Sequence, residues 1–136
     1  MNVPLATPTI VVLANQSCVT SAFGIEAGRR YRFQVDGQWQ DASDPLTGPE
    51  GVAHPGGVRE GFGWARRLPE AAWMALLVRT KGASGTSPWR LLGRGDEIWS
   101  DLPPGRLQFC ANDVLGFYWN NSGQVDVRVI DVTQAN

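Results

Sequence analysis

Apolar and polar residues alternate with period two along several short stretches of the chain, the pattern of strands buried on one face. In Arg30-Tyr31-Arg32-Phe33-Gln34-Val35 the apolar members Tyr31, Phe33 and Val35 share a face, and Leu107 and Phe109 do the same in Arg106-Leu107-Gln108-Phe109. Near the end Val125, Val127 and Val129 alternate with Asp126, Arg128 and Ile130. Thr9-Ile10-Val11-Val12-Leu13 is a continuous, mostly β-branched run, which predicts a strand covered on both faces. Trp73 to Val78 follows Pro69-Glu70-Ala71-Ala72, which could open a helix. We read it as a buried strand ending at the turn Lys81-Gly82-Ala83-Ser84-Gly85, because its confident neighbours are strands and a lone helix would need its own layer. Asp36 to Gly63 is the longest stretch without periodicity and holds Pro45, Pro49, Pro55 and several glycines. A long loop of this kind in a compact domain usually carries function. The expected fold is all-β: a small antiparallel β-sandwich of about eight strands.

Composition narrows this picture. The chain has 136 residues, 43% hydrophobic and 18% charged, enough for a single domain over 1–136 with a packed core. Net charge is -1, and the 12 basic residues, all arginine except Lys81, are scattered or paired as in Arg29-Arg30 and Arg66-Arg67. No basic block tracks a phosphate backbone, so nucleic acid is excluded as the expected partner. No apolar stretch approaches the roughly 18 residues a membrane helix needs, so no membrane insertion is expected. Met1 to Leu13 lacks the basic region and cleavage site of a signal peptide. The expected location is therefore cytoplasmic, with release from the cell by a leaderless route still open. In that setting Cys18 and Cys110 are expected to be free thiols rather than a bridge. Six Trp residues are many for this size and fit both a core and a sugar site, which favours flat aromatic faces.

The segment richest in chemistry is Asn112-Asp113-Val114-Leu115-Gly116-Phe117-Tyr118-Trp119-Asn120-Asn121-Ser122-Gly123. Between two strands, it concentrates a carboxylate and several side-chain amides, the hard oxygen donors that calcium takes from Asp, Asn and backbone carbonyls. Gly116 and Gly123 permit turns that could bring Asp113 to the Asn pair. A single carboxylate would leave the ion's charge partly offset and coordination space for a sugar diol. Local composition alone favours a plainer alternative, in which Asn120-Asn121-Ser122-Gly123 is only a hairpin turn.

A resemblance shifts that balance. Asn112-Asp113-Val114, Gly116, Tyr118 and Asn120-Asn121-Ser122-Gly123 look like the calcium loop of the LecA-type galactophilic lectins of bacteria, with matching spacing. Val12-Leu13-Ala14-Asn15, Gly37 with Trp39, Gly48-Pro49, His54-Pro55 and Ala75-Leu76 also resemble family positions. The resemblance implies a small β-sandwich, jelly-roll-like and galactose-binding-like, with one Ca2+ per subunit and terminal galactose completing its coordination through the 3- and 4-hydroxyls. Asp113, Asn120 and Asn121 would bind calcium by side chain, and Phe117 and Ala42 by backbone carbonyl. The sugar would meet Asp113, Asn120, Val114 and Trp119, with His54 and Pro55 lining the opposite rim. Galactose-containing glycans are the implied partners, and a homo-oligomer, dimer or tetramer, the implied assembly. The chain departs from the family in three places. Gly57 stands where a Gln reaches the 6-hydroxyl, Phe117 replaces a Thr, and Trp119 replaces a glycine. The family's central cysteine pair is also missing.

The remaining motifs add little. Arg94-Gly95-Asp96 reads as a strand-to-strand turn, and Asn15-Gln16-Ser17 and Asn120-Asn121-Ser122 as unused glycosylation acceptors. No phosphate loop, Cys/His cluster or marked carboxylate pair suggests an enzyme. The competing expectation is a non-catalytic sandwich that has lost sugar binding and serves protein contacts.

Overall fold

The computed structural model describes residues 5–6, 9–41, 46–52, 66–113 and 118–133. Ten strands run through them: β1 (Leu5–Ala6), β2 (Ile10–Leu13), β3 (Val19–Ile25), β4 (Tyr31–Asp41), β5 (Leu76–Gly82), β6 (Gly85–Thr86), β7 (Arg90–Leu91), β8 (Gly95–Trp99), β9 (Gly105–Ala111) and β10 (Asn121–Asp131). They form two antiparallel sheets. One has the order β1-β10-β4-β8 with β2 also on β10; the other has β3-β9-β5-β6 with β7 also on β5.

The expected all-β sandwich is what the chain builds, from more and shorter strands than expected. Its core lies where the period-two pattern puts it. Tyr31, Phe33 and Val35 from β4 and Val125, Val127 and Val129 from β10 face Leu76, Val78, Leu107 and Phe109 of the other sheet. Phe33 and Phe109 meet edge to face across the gap, with ring centroids 6.4 Å apart.

Three expectations need correction. The β2 run is not covered on both faces: Val12 is buried, but Val11 is 42% exposed. β2 lies at a sheet edge, paired only with β10, so its β-branched composition reflects strand geometry and not double burial. The aperiodic loop begins later than expected, because β4 keeps its alternation past Gly37 to Asp41. The central strand starts at Leu76, not Trp73. Met74 takes a left-handed φ of 61° and turns the chain, and Trp73 forms an isolated bridge with Val52 before it. The turn expected at Arg94-Gly95-Asp96 lies slightly earlier: Gly93-Arg94 carry the chain from β7 in one sheet to β8 in the other, and Gly95-Asp96 open β8.

The cysteines also differ from expectation. Cys18 and Cys110 form a disulfide, and no free cysteine remains. β3 pairs with β9 so that Val19 opposes Phe109, which sets Cys18 opposite Cys110 with Cα atoms 4.6 Å apart. That is the spacing of directly opposed antiparallel residues, within bridging range. The register that creates it spans most of the chain and cannot be read from spacing alone.

Candidate functional site

At one end of the sandwich the long central strands of the first sheet change from apolar to polar without changing phase. The face of β10 that carries Val129, Val127 and Val125 inward continues through Gly123 to Asn121. The face of β4 that carries Phe33 and Val35 continues through Gly37 and Trp39 to Asp41. Asn121 and Asp41 are direct partners in the ladder, and both are buried. Two glycines make this approach possible. Gly37 (φ 115°) and Gly123 (φ 87°) sit in the left-handed region, and a Cβ on either would stand 2.6 Å from a carbonyl oxygen of the opposite strand.

Asp113 arrives from the end of β9, its side chain 1% exposed. Asn121 Nδ2 donates to Asp113 Oδ2 at 3.0 Å and to the Ala14 carbonyl at 3.0 Å. Both acceptors can take only an N–H, so the amide is oriented with Oδ1 directed away from them. Asn121 therefore has one buried carboxylate at its amide and a second, Asp41, across the ladder.

Neighbouring residues hold Asp113 in position. Asn112, fully buried, donates from Nδ2 to the carbonyls of Leu68 (2.9 Å), Ala71 (3.1 Å) and Ala72 (2.9 Å) and accepts from Leu68 N–H at 3.0 Å. Its backbone bonds Met74 and Ala75 on the same segment. The Tyr118 hydroxyl, in the 3-10 turn Tyr118–Asn120, donates to Ala111 O at 2.7 Å and lies 3.4 Å from Asp113 O. It accepts from Arg67 Nε at 2.7 Å. Burial raises the Tyr118 hydroxyl above its ordinary pKa, against a lowering influence from Arg67. Trp39 is wholly buried, its indole N–H bonded to Met74 O at 2.7 Å, so it serves the core. Trp119 is the opposite case, 76% exposed beside the site.

Of the residues singled out in the sequence, Asp113 and Asn121 are brought into contact. Asn120 closes the 3-10 turn immediately before Asn121, and Trp119 precedes it. The hairpin-turn alternative is not what forms, since Asn121-Ser122-Gly123 opens β10 and pairs with Asp41-Gln40-Trp39. Ala42, His54, Pro55, Gly57, Val114 and Phe117 lie outside the described residues, as does the Asn120 side chain. Asp41 was missed. Its signal was the alternation of β4, which puts Asp41 in phase with Trp39 and Val35.

The donor set fits a hard divalent cation. Asp113, Asn121 and Asp41, at the ends of β9, β10 and β4, are buried and carry carboxylate and amide oxygens, the donor types such an ion takes. Among the described residues no group of three or more His, Cys, Asp or Glu side chains forms a metal cluster, so any ion would depend on amide and carbonyl oxygens as well.

No family model and no curated protein matches the sequence. Among solved structures the chain is similar to the N-terminal domain of EclA, described as a PllA-like lectin, with a TM-score of 0.66 at 21% identity over 93% of this chain and 97% of that one. The shared feature is the fold, a β-sandwich along almost the whole length of both chains.

Proposed function

We propose that this protein is a non-enzymatic lectin that binds terminal galactose through a calcium ion held by Asp113, Asn120 and Asn121. The observation that carries the reading is the buried Asp113–Asn121 contact, with Asp41 across the ladder, at the end of a lectin-like sandwich. Backbone carbonyls of Phe117 and Ala42 would complete the protein's share of the coordination. Ala42 directly follows Asp41, the last residue of β4.

When bound, the ion supplies positive charge and open coordination positions for two vicinal hydroxyls. The chain's own residues do the rest. Asn112 and Tyr118 fix the backbone around Asp113, so the carboxylate is preorganised and little ordering entropy is lost on binding. Asp113 and Asn120 would exchange hydrogen bonds with the sugar hydroxyls. Trp119, exposed beside the site, could offer the sugar a flat face, and Val114, His54 and Pro55 would be further sugar contacts. Gly57 offers no side chain to the 6-hydroxyl, a loss of about 0.5–1.5 kcal/mol against a site that has one. Dimeric or tetrameric assembly would raise avidity for clustered glycans. The Cys18–Cys110 bridge favours release after cytoplasmic synthesis, since disulfides persist in oxidising surroundings.

Calorimetry with galactosides, in calcium and in chelator, tests this reading. Binding is expected in calcium and absent in chelator, and nearly independent of salt because the ligand is neutral. Gly57→Gln should strengthen galactose binding several-fold and leave a sugar lacking the 6-hydroxyl unchanged. Calcium-independent binding, or a preference for sugars without the axial 4-hydroxyl, would overturn the galactose reading.

A further inference from the structure

The outer face of the second sheet carries a polar row that the sugar site does not use. Thr20, Gln108 and Arg79 are successive partners across β3, β9 and β5. They are hydrogen-bonded along the row: Arg79 Nε donates to Gln108 Oε1 at 2.6 Å, and Gln108 Nε2 donates to Thr20 Oγ1 at 3.0 Å. Continuing the β5–β7 register by one residue sets Trp89 opposite Arg79. The Arg79 guanidinium lies 4.1 Å from the Trp89 ring centroid. Arg67 approaches the same ring at 5.9 Å while its Nε is held by the Tyr118 hydroxyl. The two guanidinium carbons are therefore within about 10 Å of each other.

Like charges so placed repel, and burial with the Arg67 charge lowers the pKa of Arg79. Elsewhere the chain offsets such charges: Arg29, Arg90 and Arg94 each pair with a carboxylate, Asp131, Asp101 and Glu50. Among the described residues Arg67 and Arg79 have only neutral acceptors, namely the Tyr118 hydroxyl, the Ser17 carbonyl and the Gln108 amide. With Nε of Arg79 occupied by Gln108, the outer N–H groups of its guanidinium form a fixed fork, the geometry that takes carboxylate or sulfate oxygens two at a time.

We infer that Arg79 and Arg67, flanking Trp89, form an oxyanion subsite for the sulfate or carboxylate of an acidic saccharide. That the oxyanion is carried on a sugar rests on the function proposed above; the oxyanion site itself does not. Tyr118 links the two regions, its hydroxyl joining Arg67 to the backbone at Asp113. A neutral galactoside would use the calcium end alone, and a sulfated or uronic-acid-containing one both.

The test is calorimetric titration with sodium sulfate and sodium glucuronate against chloride at matched ionic strength. A further pair of titrations, in calcium, compares a neutral with a 6-sulfated galactoside. Saturable sulfate or glucuronate binding is expected, weakened about tenfold or more in Arg79→Gln, as befits loss of a charge-assisted contact. Arg79→Lys keeps the charge without the fork and should fall between, which serves also if Arg79→Gln does not fold. Calcium stabilisation should be unchanged in both variants. Absence of saturable anion binding, or equal binding by wild type and both variants, overturns the oxyanion site and leaves the galactose reading intact. Sulfate binding with no gain for the sulfated galactoside keeps the anion site and overturns its assignment to an acidic sugar.

Discussion

Asn112 is the residue whose side chain does most to fix the candidate site. Its amide bonds three carbonyls and one N–H of the 68–72 segment. Asn112→Ala would take these bonds from the Leu68 N–H and the Ala71 carbonyl, while the Leu68 and Ala72 carbonyls keep the N–H groups of Ala71 and Ala75, and should cost about 1–3 kcal/mol, measurable by denaturant unfolding. Tyr118 gives a pH signature. Its pKa is raised in the folded protein, first because burial disfavours the charged phenolate. A raised folded pKa contributes stability that is whole below the unfolded value near pH 10 and lost as pH rises through the folded value. Melting temperature should therefore fall in the alkaline range. Tyr118→Phe should flatten that fall and lower stability at neutral pH by about 1–2 kcal/mol, since Arg67 Nε loses its partner and Ala111 O is left with the Asp113 N–H. Asp113 was legible in the sequence as a lone carboxylate among amides. Asp41 was not, because Asp36 and Gly37 look like the start of a loop when the strand in fact continues.

At the scale of elements, the apposed strands β4 and β10 carry the polar pair on the same faces as the core. Gly37 and Gly123 let the two backbones close at the point where the inward faces turn polar. Gly123→Ala should cost about 1–3 kcal/mol of backbone strain and, being two residues from Asn121, should also weaken calcium binding. Period-two reading found β4, β9 and β10 through Phe33, Phe109 and Val127, because apolar and polar residues alternate in each sequence, even though Leu107 to Ala111 of β9 are all buried. It failed where the apolar run is continuous. Leu76-Leu77-Val78 is buried throughout and gave no phase, so its start was set by the left-handed Met74 and the Asn112 bonds, which are tertiary facts. The edge strand β2 shows the reverse error, an apolar run with an exposed face.

At the scale of the molecule, the two sheets enclose one core and the Cys18–Cys110 bridge closes a sequence separation of 92 residues. Restricting so long a loop in the unfolded chain contributes about 2–5 kcal/mol. The double variant Cys18→Ser, Cys110→Ser should therefore melt markedly lower, and a reductant should have no effect on it. The bridge also steadies the 14–18 segment, whose Ala14 carbonyl orients the Asn121 amide. Reduction of the wild type should thus weaken calcium binding as well as stability. The sandwich was legible because its strands repeat one simple pattern. The Asn121–Asp113 contact was legible in part, since the two lie eight residues apart in one donor-rich segment, whereas the disulfide was not, because it depends on the register between β3 and β9.

Calcium dependence of the thermal melt tests the central claim most directly. A ligand bound only by the folded state adds RT ln(1 + [L]/Kd), about 2.7 kcal/mol at a hundredfold excess over Kd. For a domain of this size that is a rise in Tm on the order of 10 °C. The wild type should melt higher in millimolar calcium than in chelator by such an amount, and Asp113→Asn should show no difference between the two. Coincident wild-type melts, or an undiminished calcium effect in Asp113→Asn, would contradict a calcium site at Asp113 and Asn121.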